Sequence, residues 1–339
     1  MTRKFLIVSS LIVCSACISD GTLEEESLID VQLAVGGQGL LVYLPTTLAL
    51  QLGHYRDEGL DVTIQDFSGG AKALQALVGG SADVVSGYYD HTIQMAAEGR
   101  SLKAFVTMLR YPGLVAAVSP STKKHITSIK DLDGTIVGVT APGSSTHFFI
   151  NHLLATHGLA PDTISVTGIG GTATAVAAME RGVIDVGILL EPAVTELKAR
   201  NPDLRIIADT RTSSGVLQVF GSEIYPAAVM YSSENWINEN QDTVGRLVRA
   251  ITRTLEWIQT HSAKEIMAAM PTLMLGDNPK RYLIALEHTI PMYSPDGRMS
   301  AEGARSVKQV LSLSLPKVKD TNVTLENTYT NEFVDNQNR

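Results

Sequence analysis

The sequence predicts an α/β protein of two similar lobes, each a mostly parallel sheet flanked by helices, followed by a helical C-terminal region. Three observations carry that expectation. The chain nearly repeats itself: Gly69-Gly70-Ala71-Lys72-Ala73-Leu74-Gln75-Ala76-Leu77 leads through Gly80 to Asp83-Val84-Val85, and Gly171-Thr172-Ala173-Thr174-Ala175-Val176-Ala177-Ala178-Met179 leads through Gly182 to Asp185-Val186 at the same internal spacing. Each copy reads as a glycine turn, an Ala-rich helix, a second glycine turn and an aspartate that opens a short apolar strand. Around both copies, strand-like and helix-like segments alternate, the signature of βαβ units and a parallel sheet. Beyond residue 233 the pattern is almost wholly helical. Two similar lobes imply a cleft between them, the usual seat of a small ligand.

Taken in order, residues 31–35 alternate as a strand and Gly36-Gly37-Gln38-Gly39 breaks it. Residues 43–52 have helical periodicity, with Pro45 tolerable in the first turn. A strand over 60–67, the first repeat copy, a helix over 89–97 and a strand over 102–109 complete the first lobe. Residues 114–118 form a strand that carries the chain to a second lobe built from 126–132, 135–139, 145–157, 164–167 and the second copy. Strands are expected over 204–208 and 216–220, one of them carrying the chain back. Helices follow over 234–239, 243–261, 264–269, 280–288 and 301–313. The boundaries expected are 31–115 plus 221–315 for lobe 1, 116–220 for lobe 2 and a polar, loose tail over 316–339. Two crossings between lobes make a hinge.

The 339 residues carry a net charge of −8, which argues against a nucleic-acid partner because phosphate binding needs a basic face. Arg3 and Lys4 precede a short apolar run over 5–13, too short to span a bilayer. That is the pattern of a secretory signal. Small residues before Cys17 resemble a bacterial lipoprotein processing site, although Cys14 stands where leucine is usual; on that resemblance residues 1–17 are a signal segment, Cys17 is the lipidation site and 18–30 a solvated tether. The only two cysteines lie in this segment, so the mature protein has no disulfide and no cysteine nucleophile besides the lipidation site.

Several stretches together resemble the periplasmic substrate-binding proteins of ABC importers, in the sulfonate/taurine/nitrate and thiamine-precursor (SsuA/THI5-like) group. They are Pro45 with Ala49, Gly53, Tyr55 and Glu58-Gly59-Leu60-Asp61-Val62; Ala76-Leu77 with Gly80 and Ala82-Asp83; Ile129, Asp131-Leu132, Gly134 and Val137-Gly138; Ala141-Pro142-Gly143-Ser144-Ser145-Thr146; and Glu191-Pro192-Ala193. The resemblance spans roughly residues 30–265. It implies the two-lobed type II periplasmic-binding-protein fold, a monomer closing on a small ligand outside the cytoplasm, and delivery to an inner-membrane permease with its ATPase. It implies no catalysis, no metal and no cofactor. The pyrimidine-synthase relatives of this group are enzymes, but they carry a cysteine-rich motif that this mature chain lacks.

Ligand contacts in open α/β sheets come from loops at the carboxyl ends of strands. Four loops qualify here, and they nominate Gln38, Tyr43, Tyr88, Tyr89, His91, Ser144, Ser145, Thr146 and Glu191, with Arg110 as a bidentate clamp for a carboxylate or sulfonate. Ser144-Ser145-Thr146 opens a helix whose free N–H groups suit an anion, with helix capping as the plainer alternative. Tyr88 and Tyr89 offer flat faces with polar tips. Matching the repeats puts Tyr89 and Glu191 at equivalent positions on opposite walls, where Glu191 is either structural or a reader of a cationic group. Asp90 is expected to cap its helix. The ligand expected is a small anion or zwitterion of the sulfonate or taurine kind, with an aromatic carboxylate or thiamine-precursor pyrimidine as the alternative. Gly168-Ile169-Gly170-Gly171-Thr172-Ala173 fits a dinucleotide-binding turn, but its counterpart in the first copy, Asp66-Phe67-Ser68-Gly69, has lost the glycines, and the export signal argues against it.

Overall fold

A computed structural model describes residues 27–338; the signal segment, Cys17 and most of the tether lie outside the described residues. Ten strands form: β1 (Ile29–Val35), β2 (Leu60–Asp66), β3 (Val84–Tyr88), β4 (Leu102–Thr107), β5 (Val115–Val118), β6 (Ile136–Val139), β7 (Ser165–Gly168), β8 (Val186–Leu189), β9 (Ile206–Asp209) and β10 (Ala228–Ser233). They divide into two five-stranded sheets, ordered β2-β1-β3-β10-β4 and β7-β6-β8-β5-β9. Each sheet has a parallel trio, β2-β1-β3 and β7-β6-β8. Each also has one antiparallel strand in fourth place, β10 against β3 and β4, and β5 against β8 and β9. The two lobes therefore share one topology, with helices on both faces as the repeated βαβ pattern requires.

Local chemistry accounts for most element ends. The inner parallel strands β3, β6 and β8 are nearly continuous buried runs because both faces are covered, while the outer strands β2 and β7 carry exposed polar residues. The first repeat copy forms the helix Gly70–Val78, and Gly80 beyond its end sits at φ 76°, a conformation that glycine tolerates best. The second copy forms the helix Ala173–Glu180, closed in the same way by Gly182 at φ 66°. On lobe 1, the long helix Gln241–Thr260 buries Val244, Leu247, Val248, Ile251, Leu255 and Ile258, a stripe at helical spacing.

Three expectations are corrected. Residues 213–220 are a helix, Ser213–Phe220, not a strand: the Thr212 side chain accepts from the Gly215 N–H at its start, and Gly221 sits in the left-handed region at its end. Neither that segment nor β9 carries the chain back; residues 221–227 do, leading into β10. The tail is not loose. Val318, Val323 and Val334 are buried, and the backbone of Thr328 and Thr330 pairs with Ala104, covering the outer edge of β4. A covered edge cannot pair with another chain.

The two crossings run side by side. Leu109 and Arg110 accept backbone bonds from Ala227 and Tyr225 at 3.0 and 3.3 Å. The buried Thr210 hydroxyl both accepts from the Leu114 N–H, at 2.8 Å, and donates to the Leu114 carbonyl, at 2.9 Å. Two short paired segments joining two rigid sheets are the mechanical form of a hinge.

Candidate ligand-binding cleft

The carboxyl ends of β1 and β3 in one lobe face those of β6 and β8 in the other. Between them lies a narrow cavity of about 10 Å³, room for about one water, lined by Gly36, Leu40, Tyr43, Gly70, Tyr88 and Leu114 on one side and Thr140, Ser144, Ser145, Thr146 and Leu190 on the other. Gly36 is glycine for contact reasons: a Cβ there would lie 2.5 Å from the Gly70 nitrogen, backbone on backbone. Tyr43 and Tyr88 meet edge to face, 6.0 Å between ring centroids, and the Tyr88 hydroxyl donates to the Pro112 carbonyl at 2.5 Å, beside the hinge.

Hydrogen bonds cross the cleft. The Ser144 hydroxyl accepts the Ala71 N–H at 3.0 Å. The Ser145 hydroxyl donates to Asp90 Oδ1 at 2.8 Å. The Leu41 N–H donates to the Glu191 carbonyl at 3.1 Å. The lobes are thus in a closed arrangement. Ser144 precedes the helix Ser145–Thr156 but makes no capping bond to it, because its hydroxyl is turned to the opposite lobe. The Thr146 hydroxyl is held by Thr140, 3.0 Å from its N–H and 2.9 Å from its hydroxyl. This helix start therefore lacks the usual side-chain acceptor for its free N–H groups.

Of the residues nominated by sequence, Tyr43, Tyr88, Ser144, Ser145 and Thr146 line the cavity. The structure directs the others elsewhere. Tyr89 is fully buried with its hydroxyl on Thr328, at 2.5 Å, and its ring edge to face with Tyr329, so it anchors the C-terminal segment. Arg110 does clamp an acceptor with Nε and Nη2, but that acceptor is the Pro291 carbonyl, at 3.2 and 2.8 Å. Gln38 donates through its side chain to the Thr47 hydroxyl, at 3.2 Å, and through its backbone to Asp66, at 2.7 Å. His91 packs its ring against Phe148 and shares a 3.2 Å bond with the Tyr231 hydroxyl; its Nε2 finds no well-placed partner. Burial holds its imidazole down to about 4, although the Gly143 backbone across the cleft favours the proton.

Glu191, 2% exposed, is occupied on both oxygens. Oε1 receives Arg211 Nη1 at 2.7 Å, with His288 Nδ1 at 3.6 Å; Oε2 accepts the Thr195 N–H at 3.0 Å. Arg211 in turn holds Asp209 at 2.6 Å. Burial alone would lower the affinity of this guanidinium for its proton, but the bonds and charges of Asp209 and Glu191 more than reverse that. Matching the repeats places Tyr89 and Glu191 correctly at the ends of β3 and β8, yet both side chains turn away from the cavity.

Sequence reasoning set Asp90 aside as a capping acid, and the structure buries it behind the cavity-lining Ser145. It makes no capping bond; it occupies the first turn of the helix Asp90–Ala97, 3% exposed, with Ser145 of the other lobe as its side-chain partner. Burial pushes its carboxyl up to about 7, and the bonds from Ser145 and the His91 N–H offset this only in part. The signal available in the sequence was its position directly after the strand of the first repeat. Among the described residues there is no cluster of metal-ligating side chains, and no helix is long and apolar enough to cross a membrane.

This architecture, two lobes of identical topology closing on a shared cavity, is the periplasmic-binding-protein fold. A family model described as NMT1/THI5 like matches residues 42–264, and the chain belongs to that family. A solved structure from Bordetella bronchiseptica RB50 is 39% identical, covers 92% of this chain and 98% of its own, and superposes with a TM-score of 0.88. The periplasmic aliphatic sulphonate binding protein SsuA of Escherichia coli is 20% identical, covering 85% of this chain and 92% of its own at a TM-score of 0.61. The periplasmic nitrate-binding protein NrtA of Synechocystis PCC 6803 is 14% identical, covering 91% and 88% at 0.65. At those identities the last two show a shared fold.

Proposed function

We propose that the chain is an extracytoplasmic solute-binding protein of an ABC importer, held at the membrane surface through a lipid on Cys17. It captures one small organic solute between its lobes and presents the closed form to a permease and its ATPase. The observation that carries this reading is the set of bonds across the cleft, Ser144 to Ala71 and Ser145 to Asp90, made by residues that also line the cavity. Side chains that both touch the ligand space and join the lobes let occupancy bias closure, and a ligand shifts such an equilibrium only by its differential affinity for the closed state. The reading is of a carrier, not a catalyst.

The solute class favoured is a sulfonate- or taurine-like anion or zwitterion. Its support is the uncapped start of the helix Ser145–Thr156, whose N–H groups and dipole favour negative charge. The Tyr43–Tyr88 pair favours a second reading, an aromatic carboxylate or a thiamine-precursor pyrimidine against the ring faces. Thermal unfolding against taurine, alkanesulfonates, nitrate, aromatic carboxylates and thiamine precursors tests both. A ligand at about a hundredfold over its Kd adds about 2.7 kcal/mol, a rise of a few degrees or more in the melt. One class is expected to raise it. A melt unmoved by every class, or turnover of a solute without any permease, contradicts the proposal.

A further inference from the structure

A second set of contacts joins the lobes outside the cavity, beside the hinge. The helix Pro279–Thr289 packs along the helix Ala193–Arg200 of the second lobe. From its first turn, Arg281 Nη1 reaches Glu196 Oε1 at 2.6 Å, the two side chains being 33% and 23% exposed. From its last turn, His288 Nδ1 comes within 3.6 Å of Glu191 Oε1. Arg281 and His288 are two helical turns apart and so stand on one face of the helix. None of these four residues lines the cavity. The chain just beyond this helix is sewn to the first lobe and to the first crossing. The Ser294 N–H donates to the Met108 carbonyl at 2.7 Å, the Arg110 N–H to the Met292 carbonyl at 3.0 Å and the Tyr293 hydroxyl to the Leu41 carbonyl at 2.7 Å. Gly113 on that crossing faces the Met292 methyl so closely that a Cβ would lie 2.5 Å from it.

We propose that this helix is a strap across the lobe boundary, fastened to the first lobe beyond its end and held on the second by the Arg281–Glu196 pair, and that it resists opening of the cleft from outside it. The geometry gives the strap leverage. Arg281 lies roughly 12 Å along the helix axis from Thr289 and the fastened end. Rotation of the second lobe about the crossings therefore parts Arg281 from Glu196 while the fastened end stays with the first lobe. The pair is made only in the closed arrangement, so it weighs only on the closed side of the equilibrium. The cavity has room for about one water, so an organic solute enters and leaves only as the lobes part. The strap thereby governs how readily solute exchanges without touching it. Glu196 keeps a partner after release, because Arg200 of its own helix holds the same oxygen at 2.5 Å. A contact whose acid is never left alone suits repeated making and breaking.

Two backbone amides report the opening directly, and no solute is needed. The N–H groups of Leu41 and Ala71 are bonded across the cleft, to the Glu191 carbonyl and the Ser144 hydroxyl, so each exchanges with solvent deuterium when the lobes part. In the full chain, Arg281→Met is expected to speed exchange of these two amides about fivefold, the scale of one part-exposed ion pair, and to leave the amides of β3 and β10 unchanged. Glu196→Gln is expected to act alike, and the double variant to exchange no faster than either single one. Raising salt from about 0.05 M to about 1 M is expected to speed the two amides in the wild type and to leave them level in Arg281→Met. Wild-type exchange rates at Leu41 and Ala71 in a folded Arg281→Met protein overturn the inference. So does an acceleration shared with β3 and β10, which is general loosening and not release of a strap, and so do additive effects of the two substitutions. Each of these results leaves the carrier reading standing, since the test involves no solute.

Discussion

Replacing Arg211 with alanine is expected to lower the stability of the chain by about 3–5 kcal/mol, the range for removing one partner of a buried ion pair. The cost comes from Glu191, not from the arginine. Glu191 is 2% exposed, and without the guanidinium at 2.7 Å its charge keeps only the Thr195 N–H and the half-exposed His288. Asp209 loses its partner too, but it is about one-third exposed and water replaces the arginine there. Arg211→Lys keeps the charge and loses the fork, and is expected to cost less. A double replacement, Glu191→Gln with Arg211→Met, removes both charges and is expected to recover most of the loss. Urea unfolding of the four proteins measures this, and an Arg211→Ala protein within about 0.5 kcal/mol of wild type contradicts it. The prediction reaches function because the same Glu191 residue bonds the opposite lobe through its carbonyl.

Asp90 gives the second large effect, with a definite sign. Its carboxyl titrates near 7 in the folded chain, raised by burial, and near 3.8 when unfolded. Between those values the folded chain holds a proton that the unfolded chain has released. The stability that Asp90 contributes is therefore fully present below about pH 4 and lost as pH rises through about 7, up to about 4 kcal/mol in all. Asn cannot ionise, so Asp90→Asn is expected to match the wild type below about pH 4 and to exceed it by a few kcal/mol at pH 8. A wild-type-to-variant difference that does not change with pH sinks this account. The folded chain thus keeps, one hydroxyl from its cleft, a carboxyl that burial favours in its neutral form.

The repeat made the lobes legible because its signals are local: glycines at the turns, alanines on the helix, an aspartate ahead of the strand. The antiparallel fourth strands were not legible. β10 draws on residues some 120 to 145 positions beyond the strands it separates, and its run Ala228-Val229-Met230-Tyr231 is buried on both faces, so it shows no alternation. The helix Ser213–Phe220 was misread because Val216, Val219 and Phe220 favour strands, while Thr212 and Gly221 held the better evidence as its cap and its stop. In the cleft, loop position led to Tyr43, Tyr88 and Ser144 to Thr146, which line the cavity. It could not reveal direction. Tyr89 follows Tyr88 and so points to the other side of its strand end, into the C-terminal segment; Glu191 and Arg110 found partners, Arg211 and Pro291, that are distant in sequence. Asp90 was underrated because its side-chain partner, Ser145, belongs to the other lobe and is 55 positions away in sequence.

The central claim is that a solute binds between the lobes and that closure over it constitutes binding. Ser145→Trp tests it directly. The indole occupies the cavity and displaces the bond to Asp90, yet Ser145 opens its helix at the lobe surface, so each lobe can fold with the cleft held apart. Titration calorimetry with the panel compound that raises the wild-type melt is expected to show one site in the wild type and at least a hundredfold loss in a Ser145→Trp protein that still unfolds cooperatively. Wild-type affinity in that protein would place the ligand elsewhere and contradict the account.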